Sequence, residues 1–120
     1  MSATPEPVGT LEVALAHTQR LLAADPPAAV EQAQEILKVI PNHPGATLLL
    51  GMALSADRQG EAALAALRRA VQLKPDMPDA WRALGDHLTA IGDARGADAA
   101  YAQHIRFSTR DPRLLEAAAA

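Results

Sequence analysis

The sequence predicts an all-α fold, arranged as an α-solenoid in which antiparallel helix pairs stack on one another. Three observations lead to this prediction. Alanine supplies 28 of the 120 residues and leucine 16, whereas aromatic residues make up only 2%, and this composition favours helices over strands. Pro44, Pro78 and Pro112 recur at a constant interval along the chain. Each interval holds two stretches with apolar residues at three- and four-residue spacing, which is typical of amphipathic helices.

The interval between these prolines is an internal repeat that extends well beyond them. A shift of 34 positions superposes Pro41 on Pro75, Leu50 and Gly51 on Leu84 and Gly85, Leu54 on Leu88, Ala63 on Ala97, and Leu67 on Tyr101. A repeat of this length is one supersecondary unit, and stacked units bury a continuous core together. The repeat therefore predicts a solenoid rather than a globular helix bundle.

The period divides the chain into a leader, three repeat units and part of a fourth. We expect a disordered leader at 1–9, units at about 10–43, 44–77 and 78–111, and the partial unit at 112–120. The expected helices span residues 10–24, 26–40, 44–57, 61–73, 78–91 and 94–107. Asp25 is the expected N-cap of the second helix, and Gly60 and Gly92 are expected in turns. A short helix from Pro112, capped by Asp111, either closes the last unit or begins a longer array, and the unfinished period favours the longer array.

The residues within each unit resemble the tetratricopeptide repeat at its marked positions 4, 7, 8, 11, 20, 24, 27 and 32. The matching residues are Thr47, Leu50, Gly51, Leu54, Ala63, Leu67, Ala70 and Pro75 in one unit, and Trp81, Leu84, Gly85, Leu88, Ala97 and Tyr101 in the next. Residues 44–109 match closely, although His104 and Thr109 replace a small residue and a proline. Residues 10–43 match weakly, because His17 replaces the glycine. The resemblance implies a right-handed superhelix of about three repeats plus a short C-terminal helix.

Two glycines, Gly51 and Gly85, stand in the middle of predicted helices. Glycine at such a position costs about 1 kcal/mol relative to alanine, so a compensating reason is expected. Close approach of a neighbouring helix supplies that reason. We expect Ala63 and Ala97 to face the glycines, with larger side chains filling the space around these contacts.

Composition and motifs exclude several functional classes. A net charge of −3 with an isoelectric point near 5.7 argues against a nucleic-acid partner. The chain has no cysteine, and its histidines at positions 17, 43, 87 and 104 lack the helical spacing of a metal clamp. No phosphate loop, nucleophile motif, secretory signal or membrane-spanning run is recognised. We therefore predict a cytoplasmic, non-catalytic protein without cofactor or metal, and with neither a nucleic acid nor a membrane as partner.

The resemblance also implies a function, because the first helices of stacked repeats line a concave groove that binds a peptide or a partner helix. Lining positions 2, 5, 9 and 12 give the predicted groove residues Leu11, Ala14, Thr18, Leu21, Gly45, Leu48, Met52, Ser55, Asp79, Arg82, Asp86 and Thr89. Leu48 and Met52 would form an apolar patch. Arg82 and Asp86 would either orient a polar segment or pair with each other. A chaperone-tail clamp is not expected, because Ala14 and Thr18 replace the lysine and asparagine that such repeats use.

Two alternatives to a self-contained scaffold remain. The chain could be the N-terminal repeat region of a larger bacterial enzyme, since its alanine-rich repeats and the stretch from Tyr101 to Arg106 resemble bacterial repeat-containing sulfotransferases. It could also self-associate weakly through its C-terminal face, where Tyr101, Leu114 and Leu115 would be left under-covered.

Overall fold

Six helices make up the part of the chain that the structure, a computed structural model, describes, which is residues 7–108. They are α1 (Pro7–Ala24), α2 (Pro26–Val39), α3 (Pro44–Ala56), α4 (Gly60–Leu73), α5 (Pro78–Ala90) and α6 (Ala94–Ser108). Consecutive helices pack against each other, and α3 also contacts α1 and α5. No strand occurs between residues 7 and 108. The predicted all-α solenoid is confirmed.

Helix boundaries follow the local signals in the sequence. Helices α2, α3 and α5 each carry proline in the first turn, where the missing N–H group is tolerated. The Asp25 carboxylate accepts the Ala28 N–H at 3.3 Å, which confirms the predicted cap. His43 caps α3 in the same way through Nδ1. Helix α1 begins at Pro7, three residues before the expected start. The helix predicted from Pro112, with its cap Asp111, lies outside the described residues.

The turns within the helix pairs differ from the prediction at one glycine. Gly92 takes a left-handed φ of 86° between α5 and α6, as expected for glycine in a turn. The residue at the equivalent position one repeat earlier is Arg58, and it adopts φ 61° between α3 and α4. Gly60 is the first residue of α4 instead of a turn residue. The prediction for Gly60 was therefore wrong, because the backbone reverses two residues earlier.

The hydrophobic core is built mainly from small side chains. Ten of the nineteen buried apolar residues in the described part of the chain are alanines. One cluster lies among α3 to α6, and its centre includes Leu67, Leu84 and Leu88. A second cluster lies among α2, α3 and α4, and includes Val30 and Leu54. Small residues let the helix axes approach closely, so the core stays thin along the whole stack.

The two mid-helix glycines lie at the close helix contacts that the sequence predicts. A Cβ on Gly51 would lie 2.7 Å from Leu67 Cγ, and a Cβ on Gly85 would lie 2.6 Å from Tyr101 Cε1. The nearest side chains are thus Leu67 and Tyr101, while the expected contact of Ala63 and Ala97 with the glycines stays a prediction. Any side chain at either glycine would occupy the space that the larger residue of the second helix fills.

Candidate protein-binding groove

Helices α1, α3 and α5 are the first helices of the three pairs, and a shallow depression runs across them. Its volume is about 260 Å³. The lining residues, which define the groove, are Leu15, Gln19, Gly45, Leu48, Leu49, Met52, Asp79 and Arg82. The structure thus places a groove on the predicted helices, with an apolar floor on α3 and charged groups on α5.

On α1 the predicted groove residues are displaced by one position. Thr18 is 0% exposed, and its hydroxyl donates a hydrogen bond to the Ala14 carbonyl oxygen at 2.8 Å. Thr18 is therefore not available to a ligand, and Leu15 and Gln19 line the groove in place of Ala14 and Thr18. Leu21 packs against the second core cluster.

The length of the first turn accounts for this displacement. Only Asp25 separates α1 from α2, whereas three residues separate α3 from α4 and α5 from α6. With this shorter connection, Thr18 occupies the buried mid-helix position and His17 is exposed. The weak match at His17 was the signal in the sequence that this unit is irregular.

On α3 the structure brings the predicted apolar residues to the groove, but not the predicted polar one. Leu48 and the half-buried Met52 line the groove. Leu48 is only 8% exposed and belongs to the core as well. The Ser55 hydroxyl instead lies 3.0 Å from Nδ1 of His87. Ser55 is therefore part of the contact between two helix pairs.

On α5 only the N-terminal half of the predicted set lines the groove. Asp79 and Arg82 do so. Asp86 accepts a hydrogen bond from the Tyr101 hydroxyl at 2.6 Å, and Thr89 donates to the Gly85 carbonyl oxygen at 2.9 Å. The ion pair within the described residues joins Lys38 to Glu35, so Arg82 does not pair with Asp86. Arg82 keeps an exposed positive charge at the edge of the groove.

The Tyr101 phenol has a pKa that its surroundings shift. Its hydrogen bond to Asp86 raises the pKa of Tyr101 above the ordinary value of 10.0, because the bond needs the phenol proton. A weaker opposing effect comes from Thr89, whose hydroxyl lies 3.3 Å away. Tyr101 therefore stays a neutral donor at physiological pH.

Three of the four histidines make hydrogen bonds within the described part of the chain. His43 caps α3, and His104 Nδ1 lies 3.0 Å from the Pro78 carbonyl oxygen, joining α6 to α5. His87 is buried between two helix pairs, and His17 is exposed on α1. Between residues 7 and 108, no group of three or more histidine, aspartate or glutamate side chains is placed to hold a metal ion.

A second cleft lies between the start of α1 and the end of α2. Its volume is about 360 Å³, and its walls include Leu11, Ile36 and Val39. Unlike this cleft, the groove across α1, α3 and α5 joins the first helices of all three pairs. None of the helices described is both long enough and apolar enough to cross a bilayer.

One part of the chain matches a known family. Residues 44–87, which carry α3, α4 and most of α5, match the family model described as tetratricopeptide repeat. Residues 44–87 thus match the tetratricopeptide repeat, and the six described helices have the fold of a tetratricopeptide-repeat solenoid. No curated protein matches the chain.

Solved structures with the same repeat fold cover most of this domain. A crystal structure of MamA is 25% identical with a TM-score of 0.73, and the match covers 87% of this chain and 61% of that one. The Yersinia enterocolitica type III secretion translocator chaperone SycD is 15% identical with a TM-score of 0.76. The match covers 92% of this chain and 84% of that one. A Thermobaculum terrenum O-GlcNAc transferase is 23% identical with a TM-score of 0.79. The match covers 93% of this chain and 22% of that one.

Two consequences follow from these similarities. Solenoids of this repeat type act in general as protein-interaction modules, since they expose an extended surface to protein partners. The neighbours include both a secretion chaperone and a transferase. The chain spans about 61% of the MamA chain it matches.

Proposed function

We propose that the groove across α1, α3 and α5 binds an apolar segment of a partner protein, in the form of a peptide or a helix. The observation that carries this proposal is the combination of Leu15, Leu48 and Met52 on the floor with Asp79 and Arg82 at one side. Apolar residues provide the area that is buried on binding, and the charged side gives the partner a direction.

The size of the groove favours a segment of protein over a small molecule. Its volume of about 260 Å³ is below the roughly 300–1,000 Å³ of typical small-molecule sites. An open depression of this size accepts a few side chains from an extended surface. Met52 adds an adaptable contact, because the unbranched thioether side chain can follow partners of different shape.

The test uses the full chain as bait against a lysate of the organism that encodes it. Leu48 belongs to the core, so the groove variants are Met52→Glu and Arg82→Glu, whose side chains are half-buried and exposed. The matched controls are Val13→Glu and Arg68→Glu on exposed surfaces outside the groove. Circular dichroism first establishes that all four variants are folded.

A protein retained by the wild type and by both controls, but lost with both groove variants, is a groove partner. Calorimetry with the purified partner should then show affinity at least about tenfold weaker for each groove variant, as expected for centrally placed contacts. Equal binding by all variants would contradict the groove as the binding surface.

A second candidate function is the repeat region of a larger enzyme. The observation in its favour is the similarity to the O-GlcNAc transferase, of which the matched region is 22%. The likeness to bacterial sulfotransferases stays a prediction. Sequencing the gene beyond the codon for Ala120 tests this candidate, and a catalytic domain in the same reading frame would support it.

The remaining proposals concern partner class, location and assembly. The net charge of −3 supports a protein rather than a nucleic acid or a membrane as partner, and we assign the chain to the cytoplasm. Weak self-association through the C-terminal face involves Leu114 and Leu115, which lie outside the described residues. Sedimentation over a range of concentrations tests it, and a monomer throughout would remove it.

A further inference from the structure

His87 lies in the contact between the α3–α4 pair and the α5–α6 pair. Its side chain is 5% exposed, yet both ring nitrogens have a partner. Nδ1 lies 3.0 Å from the Ser55 hydroxyl at the end of α3. Nε2 lies 3.0 Å from the Gly60 carbonyl oxygen at the start of α4. One side chain of α5 thus contacts both helices of the preceding pair.

The chemistry of the partners determines the direction of both hydrogen bonds. The Gly60 carbonyl oxygen can only accept, so Nε2 of His87 carries the proton and donates. In the neutral ring, Nδ1 then accepts a hydrogen bond from the Ser55 hydroxyl. Both bonds are directional, so they restrain the rotation of α5 as well as its distance from α3 and α4.

The equivalent contact one repeat earlier is apolar. Ala53, which stands at the position of His87 in the preceding repeat, is fully buried and belongs to a core cluster with Ala29 and Val30 of α2. Helix α2 packs against α3 more extensively than α4 packs against α5. Helix α3 likewise has a larger contact with α1 than with α5. The second contact between pairs is therefore less extensive and depends more on its few specific interactions.

We infer that His87 is a positioning residue, which fixes the angle between the α3–α4 pair and the α5–α6 pair. This angle sets the distance across the groove from Met52 on α3 to Arg82 on α5. The consequence for binding rests on the proposed function, whereas the angle itself is a property of the free domain. Loss of the two hydrogen bonds should let the second pair rotate while each pair stays folded.

Distances between spin labels measure this angle directly. Gln34, Arg68 and Ala102 are exposed, follow one another at the repeat interval, and stand at equivalent positions on α2, α4 and α6. The chain has no cysteine, so labelled cysteines can be introduced in pairs without removing any. The pair at 34 and 68 reports the first contact between helix pairs, and the pair at 68 and 102 reports the second.

The variants compared are His87→Ala, Ser55→Ala and the control His104→Ala. His104 also lies 3.0 Å from a carbonyl oxygen, but it joins α6 to α5 within one pair. In His87→Ala we expect the 68–102 distance to shift by about 2 Å or more, or its distribution to become wider by that amount. A change of this size is typical of a loop or domain rearrangement. Ser55→Ala should give a smaller change of the same kind. The 34–68 distance should stay constant, and His104→Ala should leave both distances unchanged.

An unchanged 68–102 distance in folded His87→Ala would overturn the inference. If His87→Ala does not fold, Ser55→Ala provides the test, because this variant removes one hydrogen bond and keeps the imidazole ring. An unchanged 68–102 distance in Ser55→Ala would equally overturn the inference. An equal shift of the 34–68 and 68–102 distances would also contradict it, since that indicates general loosening. These measurements need no partner, so failure of the proposed groove function leaves their result intact.

Discussion

The ring of Tyr101 lies directly against the backbone of Gly85, at a place where a Cβ atom would be 2.6 Å from Tyr101 Cε1. The Tyr101 hydroxyl donates to Asp86, the residue after this glycine, at 2.6 Å. The hydrogen bond holds the ring in place, so the ring cannot move aside for a larger residue. The close contact between α5 and α6 therefore depends on both a missing side chain and a fixed aromatic ring.

Gly85→Val should destabilise the domain through this contact. Overpacking a close contact costs about 1–3 kcal/mol, so we expect the melting temperature to fall by several degrees. Thermal unfolding followed by circular dichroism measures the change. Ala102→Val, at an exposed position of α6, is the matched control and should have little effect. A melting curve equal to that of the wild type would refute the packing argument.

Arg58 and Gly92 stand at equivalent positions of successive repeats and adopt the same left-handed backbone conformation. A residue with a Cβ is strained there by about 1–2 kcal/mol, and glycine is not. Arg58→Gly should therefore raise the free energy of unfolding, and Gly92→Ala should lower it by a similar amount. Urea denaturation checks both changes. Gln59→Gly, next to Arg58 but at φ −94°, should not stabilise the domain, and equal gains at 58 and 59 would contradict the argument.

Titration of Tyr101 should show the effect of its hydrogen bond to Asp86. Tyr101 is the only tyrosine of the chain, so phenolate absorbance reports this residue alone. The midpoint should lie above 10.0 in the wild type and move towards that value in Asp86→Asn, which removes the largest cause of the raised pKa. Thr89→Val should move it further up, because Thr89 opposes the shift. A midpoint that is the same in wild type and Asp86→Asn would be inconsistent with the bond.

The same bond makes stability depend on alkaline pH. The pKa of Tyr101 is higher in the folded state than in the unfolded state, so this contribution is complete below about pH 10 and is lost as the pH rises through the folded-state pKa. Tyr101→Phe should lack this dependence. Denaturation at several pH values compares the two proteins, and parallel loss of stability in both above pH 10 would argue against the linkage.

The register of α1 can be tested with two adjacent substitutions. Thr18→Lys should unfold or strongly destabilise the domain, because it buries a charge at a fully buried position. Gln19→Lys should be tolerated, since Gln19 is exposed and lines the groove. Thermal unfolding of both variants provides the comparison. If Gln19→Lys were less stable than Thr18→Lys, the register of α1 predicted from the repeat period would be supported instead.

The regular parts of the fold could be predicted because the signals there are local. Proline in the first turn of α3 and α5, and glycine in the middle of both helices, recur at the repeat interval. Each residue type reflects a constraint that acts within one turn or at one helix contact. Leu48, Met52 and Arg82 line the depression because α3 and α5 follow this regular pattern, and their role in binding stays a prediction.

The irregular parts could not be predicted, because they depend on how separate elements fit together. Beside the one-residue connection at Asp25, α1 is rotated about its axis relative to the predicted register, and Leu15 and Gln19 line the groove where Ala14 and Thr18 were expected. The period carries no information on this rotation. Ser55 was likewise expected in the groove, but its hydroxyl lies at His87 instead. The two residues are far apart in the sequence, so no local pattern indicates this hydrogen bond.

By itself, the sequence determined the helix pairs, their repeat interval and the glycines at the close contacts, since these follow from backbone propensity and from side-chain volume. The tertiary structure alone decided the register of α1, the partner of Asp86 and the polar contact at His87. Helix rotation and side-chain hydrogen bonds between distant residues are decided only when the helices pack, because many local patterns are compatible with more than one arrangement.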